Sequence, residues 1–317
     1  MLLGKLKAIT FKGLPFKADK HRADNHGINV RLESLTYNKK SGGKREHTTM
    51  TTRIAQHAAV DPQAEIDDDV EIGPFTTIGP HVRILAGTRV LNSVTILGHV
   101  TIGHDNVIYP NVVIGGEPQD VSYAGSDTQV IIGDGNTIRE GVTINRGSEK
   151  EDGVTRIGDK NFLMACCHVA HDCKLGSHII MANGSLLGGH VHVDDYASLS
   201  GAVAVHHFTS IGSYSFIGGL SRVLHDVPPF MLCEGTPARP RCINIVALKR
   251  HEFSTHVIDS LAEAHRLIYR GKVGLDPARE ILRGNGQLVP QVNQLLTFIE
   301  GQQEGRHGRG REARRAA

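Results

Sequence analysis

From Ile54 onward an aliphatic residue returns at every sixth position of this 317-residue chain. It does so from Ile54 to Ile114, from Ile132 to Ile144 and from Ile157 to Val223, 26 positions in register. A period of six fits neither a helix at 3.6 residues nor a lone strand at two. It fits a short strand followed by a turn, with three such units closing one triangular coil of about 18 residues. The aliphatic residue and the one four after it share a strand face and point into the prism. Val70, Thr76, Val82, Thr88 and Val94 occupy that second position. Gly or Asn is expected at the positive-φ turns. The expected fold is mainly β, a parallel β-helix. The 36 glycines carry no Gly-X-Y period, so collagen is excluded.

Two interruptions are read as loops pushed out of the prism, residues 115–125 and 147–153. The first has Gln119 and Tyr123 to offer a site; the second is charged and reads as merely solvated. The repeat ends at Asp226-Val227-Pro228-Pro229-Phe230, and a short linker over Glu234–Pro240 leads to a helical region. One helix is expected from Asn244 to Arg250, a second capped by Ser254, a third starting at Asp276-Pro277 and a fourth from Pro290 to Glu300. The expected organisation is therefore a β-helix over 50–232 and a small helical domain over 233–300. Residues 1–49 read as a disordered or artefactual extension, with Met50 as the working start, and the Arg/Gly-rich stretch 301–317 as a disordered tail.

Charge narrows the function. Residues 1–49 carry eleven Lys/Arg against four Asp/Glu and the tail five against two, so the body between holds 19 basic and 27 acidic side chains. Such a body is a poor binder of nucleic acid. No run of 18 apolar residues suggests an integral membrane segment, and no signal-peptide pattern is present. Five cysteines, an odd and sparse number, point to reduced thiols in a cytoplasmic protein.

The register then sorts the residues that could carry chemistry. Cys166-Cys167-His168-Val169-Ala170-His171-Asp172-Cys173 looks at first like a metal site. Yet Cys167 and Cys173 fall on inward positions and are expected to be core thiols. His168, His171, His190, His206 and His207 all avoid inward positions and are expected on the outer surface. Steps of 18 stack His171, Gly189 and His207 in one column. With coils about 4.8 Å apart, the two histidines are about 10 Å apart, and Gly189 leaves a slot for a ligand between them. Asp172, next to His171, can fix its tautomer and leave one ring nitrogen free to take a proton. No hydroxyl or outward thiol stands at an evident nucleophile position.

From Ile54 to Glu300 the chain resembles the UDP-N-acetylglucosamine acyltransferases, the left-handed β-helix enzymes that open lipid A synthesis. The resemblance rests on Gln119-Asp120 with Tyr123-Ala124-Gly125, Ile138-Arg139-Glu140, Arg146-Gly147, His168 to Cys173, Ala182-Asn183, Gly189-His190-Val191, Val205-His206, Asp226 to Pro229 and Leu248-Lys249-Arg250. It implies transfer of an (R)-3-hydroxyacyl chain from acyl carrier protein to the 3-hydroxyl of UDP-N-acetylglucosamine, by a homotrimer and without metal or redox cofactor. His171 would be the general base, Asp172 its orienter, and Gly189 an oxyanion-hole N–H. Gln119, Asp120, His168, Asn183, His190, His206 and Arg250 would line the substrate, Gly219 would set acyl length, and Lys249 with Arg250 would dock the carrier protein. Ser122, Asn145, Pro237, His207 and His251 depart from the family's pattern. Two other classes compete: a zinc carbonic anhydrase of the same prism, and a non-enzymatic scaffold.

Overall fold

Each six-residue unit folds into a strand of two to four residues and a turn, and the strand's backbone bonds to the coils below and above it. In the computed structural model, which describes residues 51–284, 288–305 and 308, these strands form three sheets of 11, 9 and 8 strands. Pairing within the β-helix is parallel with a register of one coil: Ile54 lies on Ile72 and Val169 on Leu187. The chain is a left-handed parallel β-helix followed by a small helical part. Ile108 pairs with Ile138 and Ile138 with Leu163, so the two insertions lengthen their coils without breaking the stack. The expectations for residues 1–49 and for most of 301–317 lie outside the described residues.

From Ile72 to Val223 the sixfold aliphatic side chains are at most 5% exposed, whereas Ile54 is 49% exposed at the open first coil. Burying one such side chain contributes roughly 1.5–3 kcal/mol, so this column dominates the stability of the prism. Cys167 and Cys173 lie in the same core, as their register requires. Polar residues fill one corner as a continuous ladder. Asn106 Oδ1 accepts from the Asn136 N–H and amide, Asn136 Oδ1 accepts from the Asn161 N–H, and Asn161 Oδ1 accepts from the Ile179 N–H. Each rung satisfies a backbone donor that the turn would otherwise strand away from water.

The turns differ from expectation. Their left-handed positions are held mostly by side chains other than Gly or Asn, including Asp172, His178, His190, Tyr196, Phe208 and Tyr214. Compensation comes from stacking between coils: His178, Tyr196 and Tyr214 form a ring ladder with centroids 4.6 and 4.7 Å apart. Where a side chain packs on its neighbour one coil away, the modest cost of the αL conformation is outweighed.

The expected linker is instead an antiparallel hairpin, Met231–Gly235 with Ala238–Ile243, whose first strand continues the first sheet. Among the described residues four α-helices follow, α1 Ile245–Arg250, α2 Thr255–His265, α3 Leu275–Arg283 and α4 Pro290–Gln303, with a π-helical segment Arg266–Arg270 continuing α2. Asn244 caps α1 and Ser254 caps α2 through their side-chain oxygens. Asn244 also donates to the Tyr214 carbonyl, tying α1 to the aromatic edge of the prism. One apolar core runs from the prism through Phe230 and Cys233 to Leu248, Leu261 and Leu295.

Replacing Asn136 by Ala would leave the buried Asn161 N–H without its acceptor. The expected cost is about 1–3 kcal/mol, read as a melting temperature several degrees below that of the parent; an unchanged melt would show that the ladder is dispensable.

Candidate active site

Three consecutive coils place their special residues on one edge of the prism, between the second and third sheets. The first insertion leaves between Val113–Gly116 and Gln129–Ile132, and the second between Thr143–Asn145 and Val154–Ile157. One coil further, the turn between His168–Val169 and Lys174–Leu175 carries His171 and Asp172. Gly189-His190 and His207-Phe208 occupy the same turn in the next two coils. Both insertions therefore start directly beneath the dyad and fold onto it.

Asp172 is fully buried, and its N–H donates to Thr155 Oγ1 at 2.9 Å. His171 Nδ1 lies 2.8 Å from Asp172 Oδ2. Ser148 donates to the same carboxylate twice, its N–H to Oδ1 at 2.9 Å and its hydroxyl to Oδ2 at 2.5 Å. Burial alone would push the Asp172 carboxyl up; the bonds from His171 and Ser148, with His190 nearby, outweigh it and hold the group below the ordinary carboxylate range. An ionised carboxylate only accepts, so His171 Nδ1 carries the proton and Nε2 presents its lone pair.

The histidines are more enclosed than the register suggests: His171 is 9% and His190 3% exposed. His190 stacks on Phe208 at 4.3 Å, meets His171 edge-on at 5.1 Å and has Glu151 Oε1 3.3 Å from its Nδ1. The charged second insertion is therefore not solvated surface. Ser148 and Glu151 face the dyad and His190. Lys150 Nζ sits 2.6 Å from Asp120 Oδ2, and Glu149 accepts from the Ala124 and Ser126 N–H groups. Lys150, with the Ser122 N–H and hydroxyl, holds the Asp120 carboxyl far below its usual range. Arg146 clamps the first insertion through the Gly115 carbonyl, Glu117 and the Tyr123 hydroxyl.

Gly189 plays a different part from the slot expected of it. A Cβ built there would lie 2.6 Å from His171 Cε1 and 2.7 Å from Nε2. The imidazole itself occupies the space that the glycine leaves open. His168, on the outer face of the second sheet, has Nδ1 2.7 Å from Thr143 Oγ1. Burial, then the neighbouring His171, push its imidazole below the usual range. His206 packs on His207, ring centroids 3.8 Å apart.

The edge thus gathers Asp120, His171, Asp172, Gly189, His190 and His206, with Gln119 exposed on the covering loop. Asn183 and Gly219 stand on the neighbouring edge, at the other border of the second sheet. Lys249 and Arg250 are exposed on α1, next to His251, which packs against Tyr196 and Tyr214 at the third edge. Ser148 and Glu151 were not singled out by the sequence. The available signal was positional: the second insertion departs from the dyad's own edge one coil earlier. Cys167 and Cys173 contribute nothing reactive, burial pushing their thiols up to about 11 and about 12.

A metal reading meets His171, Asp172 and His190, whose ligand atoms lie within 4.8 Å of one another. Of these three, the Asp172 carboxylate is already engaged, Oδ1 by the Ser148 N–H and Oδ2 by both the Ser148 hydroxyl and His171 Nδ1. Such bonding can fix the tautomer and orientation of the His171 imidazole.

Gly189→Ala should force the His171 ring away from its seat. The expected result is a fall of about 10²-fold in turnover with an unaltered melting curve; full activity in that variant would mean that the ring position has no role.

Comparison with known proteins accords with this geometry. A family model described as UDP N-acetylglucosamine O-acyltransferase, domain 2, matches residues 226–310, and one for a GMPPB C-terminal domain matches 54–148. The acyl-[acyl-carrier-protein]–UDP-N-acetylglucosamine O-acyltransferase of Halorhodospira halophila is 47% identical over 254 residues, 80% of this chain and 98% of its own. Its Synechocystis counterpart is 45% identical over 199 residues, 63% and 71% respectively. Among solved structures, the UDP-N-acetylglucosamine acyltransferase of Bacteroides fragilis has a TM-score of 0.75 at 35% identity, covering 78% of this chain and 96% of that one. The Arabidopsis enzyme gives 0.70 at 34% identity over 78% and 96%. With the Halorhodospira relative 47% identical and matched over nearly its whole length, the chain belongs to the acyl-[acyl-carrier-protein]–UDP-N-acetylglucosamine O-acyltransferase family.

Proposed function

We propose that this protein transfers an (R)-3-hydroxyacyl chain from acyl carrier protein to the 3-hydroxyl of UDP-N-acetylglucosamine, the first step of lipid A biosynthesis, with His171 as general base. The observation that carries the assignment of roles is the buried dyad: Asp172 Oδ2 fixes Nδ1–H, leaving Nε2 as the acceptor. As the sugar oxygen attacks the thioester carbonyl, its proton passes to Nε2 and a C–O bond forms. The carbonyl electron pair moves onto oxygen. The Gly189 N–H, which bonds to no other described residue, is placed in our reading to receive that charge. Collapse breaks the C–S bond, and the leaving thiolate takes the proton from Nε2. Ester, free thiol and neutral His171 result. Asp172 stays ionised throughout and stabilises the transient imidazolium.

In this reading the β-helix, residues 50–232, supplies the chemistry and the helical part, 233–300, supplies the dock. Gln119, Asp120, His168, His190 and His206 line the acceptor and the reacting thioester. Asn183 and Gly219 lie along the adjoining edge, where the absent side chain of Gly219 leaves room for a longer acyl chain. Lys249 and Arg250 meet the acidic carrier protein. They stand away from the His171 edge within one chain, which supports a homotrimer whose sites lie between prisms. Exposed Leu186 and Val113 on the outer face of the second sheet support the same arrangement. No helix of the described residues is long and apolar enough to cross a membrane, and we place the enzyme in the cytoplasm.

The test is acyl transfer from 3-hydroxyacyl carrier protein to UDP-N-acetylglucosamine. His171→Ala should lower kcat roughly 10²–10⁴-fold with KM for the nucleotide sugar little changed. Turnover should fall on the acid side because protonation of Nε2 removes the base. The Asp172 carboxyl, held below its ordinary range, should keep its charge as pH falls, so loss of Asp172 should not be what sets that limb. Undiminished transfer by the variant, or zinc lost in step with activity, would overturn the assignment.

A further inference from the structure

We infer that Ser148, on the second insertion, is a positioning residue of the reaction, holding the Asp172 carboxylate in the one orientation that aims His171 at the substrate. The inference rests on the reading of His171 as base. Ser148 is 1% exposed, and both its N–H and its hydroxyl donate to the Asp172 carboxylate. Its hydroxyl is constrained at both ends, since the Lys150 N–H donates to Oγ at 3.3 Å and Oγ in turn donates to Asp172 Oδ2. A hydroxyl has one proton, and here an acceptor-only carboxylate takes it. With the Ser148 N–H on Oδ1, the two bonds form a fork across the carboxylate and prevent its rotation about the Cβ–Cγ bond. Only one lone-pair direction of Oδ2 then remains for His171 Nδ1.

The groups packed around Asp172 make this restraint necessary. His190 Nε2 lies 3.7 Å from the same Oδ2, near enough to draw the carboxylate away from His171 if it could turn. Thr155 holds the Asp172 backbone but leaves the carboxylate unrestrained. The hydroxyl also draws charge from Oδ2. Its removal would concentrate that charge on His171, stabilise the imidazolium and raise the pH at which the base is lost. The same removal would loosen the aim of Nε2, so turnover and pH profile should change together. A residue that merely supported the loop would alter neither in this coupled way.

The experiment compares Ser148→Ala, Ser148→Cys and Ser148→Thr in the full chain, with His171→Ala alongside, for acyl transfer from 3-hydroxyacyl carrier protein to UDP-N-acetylglucosamine. Expected are a kcat about 10–100-fold lower for Ala, an unchanged KM for the nucleotide sugar, and an acid limb displaced to higher pH. Thr, which keeps the donor, should restore both, and Cys, a weak donor, should fall between. If Ala fails to fold, the order of Cys below Thr carries the test. Parental kcat and limb in Ser148→Ala, or no recovery in a folded Ser148→Thr, would overturn the role of Ser148. Transfer undiminished in His171→Ala would instead overturn the reading beneath it.

Discussion

Stacking of parallel coils in one register fixes almost every other feature of this molecule. Because Val169, Leu187 and Val205 must sit above one another to bury their side chains, the residues two, three and four places on are stacked as well. A site in such a fold is therefore a column along one edge. Its members come from sequence positions one coil apart, and their spacing is set by the hydrogen bonds of the sheets. The dyad, Gly189-His190 and His207-Phe208 are held apart by the same bonds that hold the core together. This makes a rigid scaffold for chemistry that depends on tenths of an ångström.

The same constraint explains why the insertions matter. An extra segment can leave a coil only at a corner, and both leave at the corner that carries the dyad. Repeat turns alone would expose His171 and Asp172 to water. With the insertions in place Asp172 is fully buried and Ser148 supplies two of its bonds. The insertions also stabilise one another, through Lys150 with Asp120 and Arg146 with Glu117. The site is half prism and half loop, and the loop half gives Asp172 its environment.

The division between what could and could not be read from the sequence follows that line. The β-helix, the inward cysteines, the Ser254 cap and the column His171–Gly189–His207 all follow from periodicity and short-range rules. The fate of residues 147–153 did not, because no period governs a loop, and Ser-Glu-Lys-Glu-Asp has the composition of solvated surface. Only pairing across 24 to 30 positions, Ser148 to Asp172 and Lys150 to Asp120, reveals its use. The hairpin Met231–Gly235 with Ala238–Ile243 was hidden by Pro237 and Pro240, which read as a linker although the strand lies at a sheet edge that tolerates them. The αL positions escaped for a third reason. Their side chains are stabilised by partners one coil away, which local propensity does not register.

Charge pairing around the site shows why Asp172 can act on a histidine. Three acids of the insertions meet permanent cations: Asp120 meets Lys150, Glu117 meets Arg146, and Asp152 meets Lys174 and Arg156. Asp172 faces neutral donors from Ser148 and two imidazoles, whose charge depends on protonation. A lysine or arginine there would satisfy the carboxylate permanently and leave nothing for a developing imidazolium. Neutral hydrogen bonds keep the anion ionised while its charge remains effective, and burial keeps bulk water from screening it. In the proposed mechanism, this geometry reserves the field of Asp172 for the moment at which His171 takes a proton.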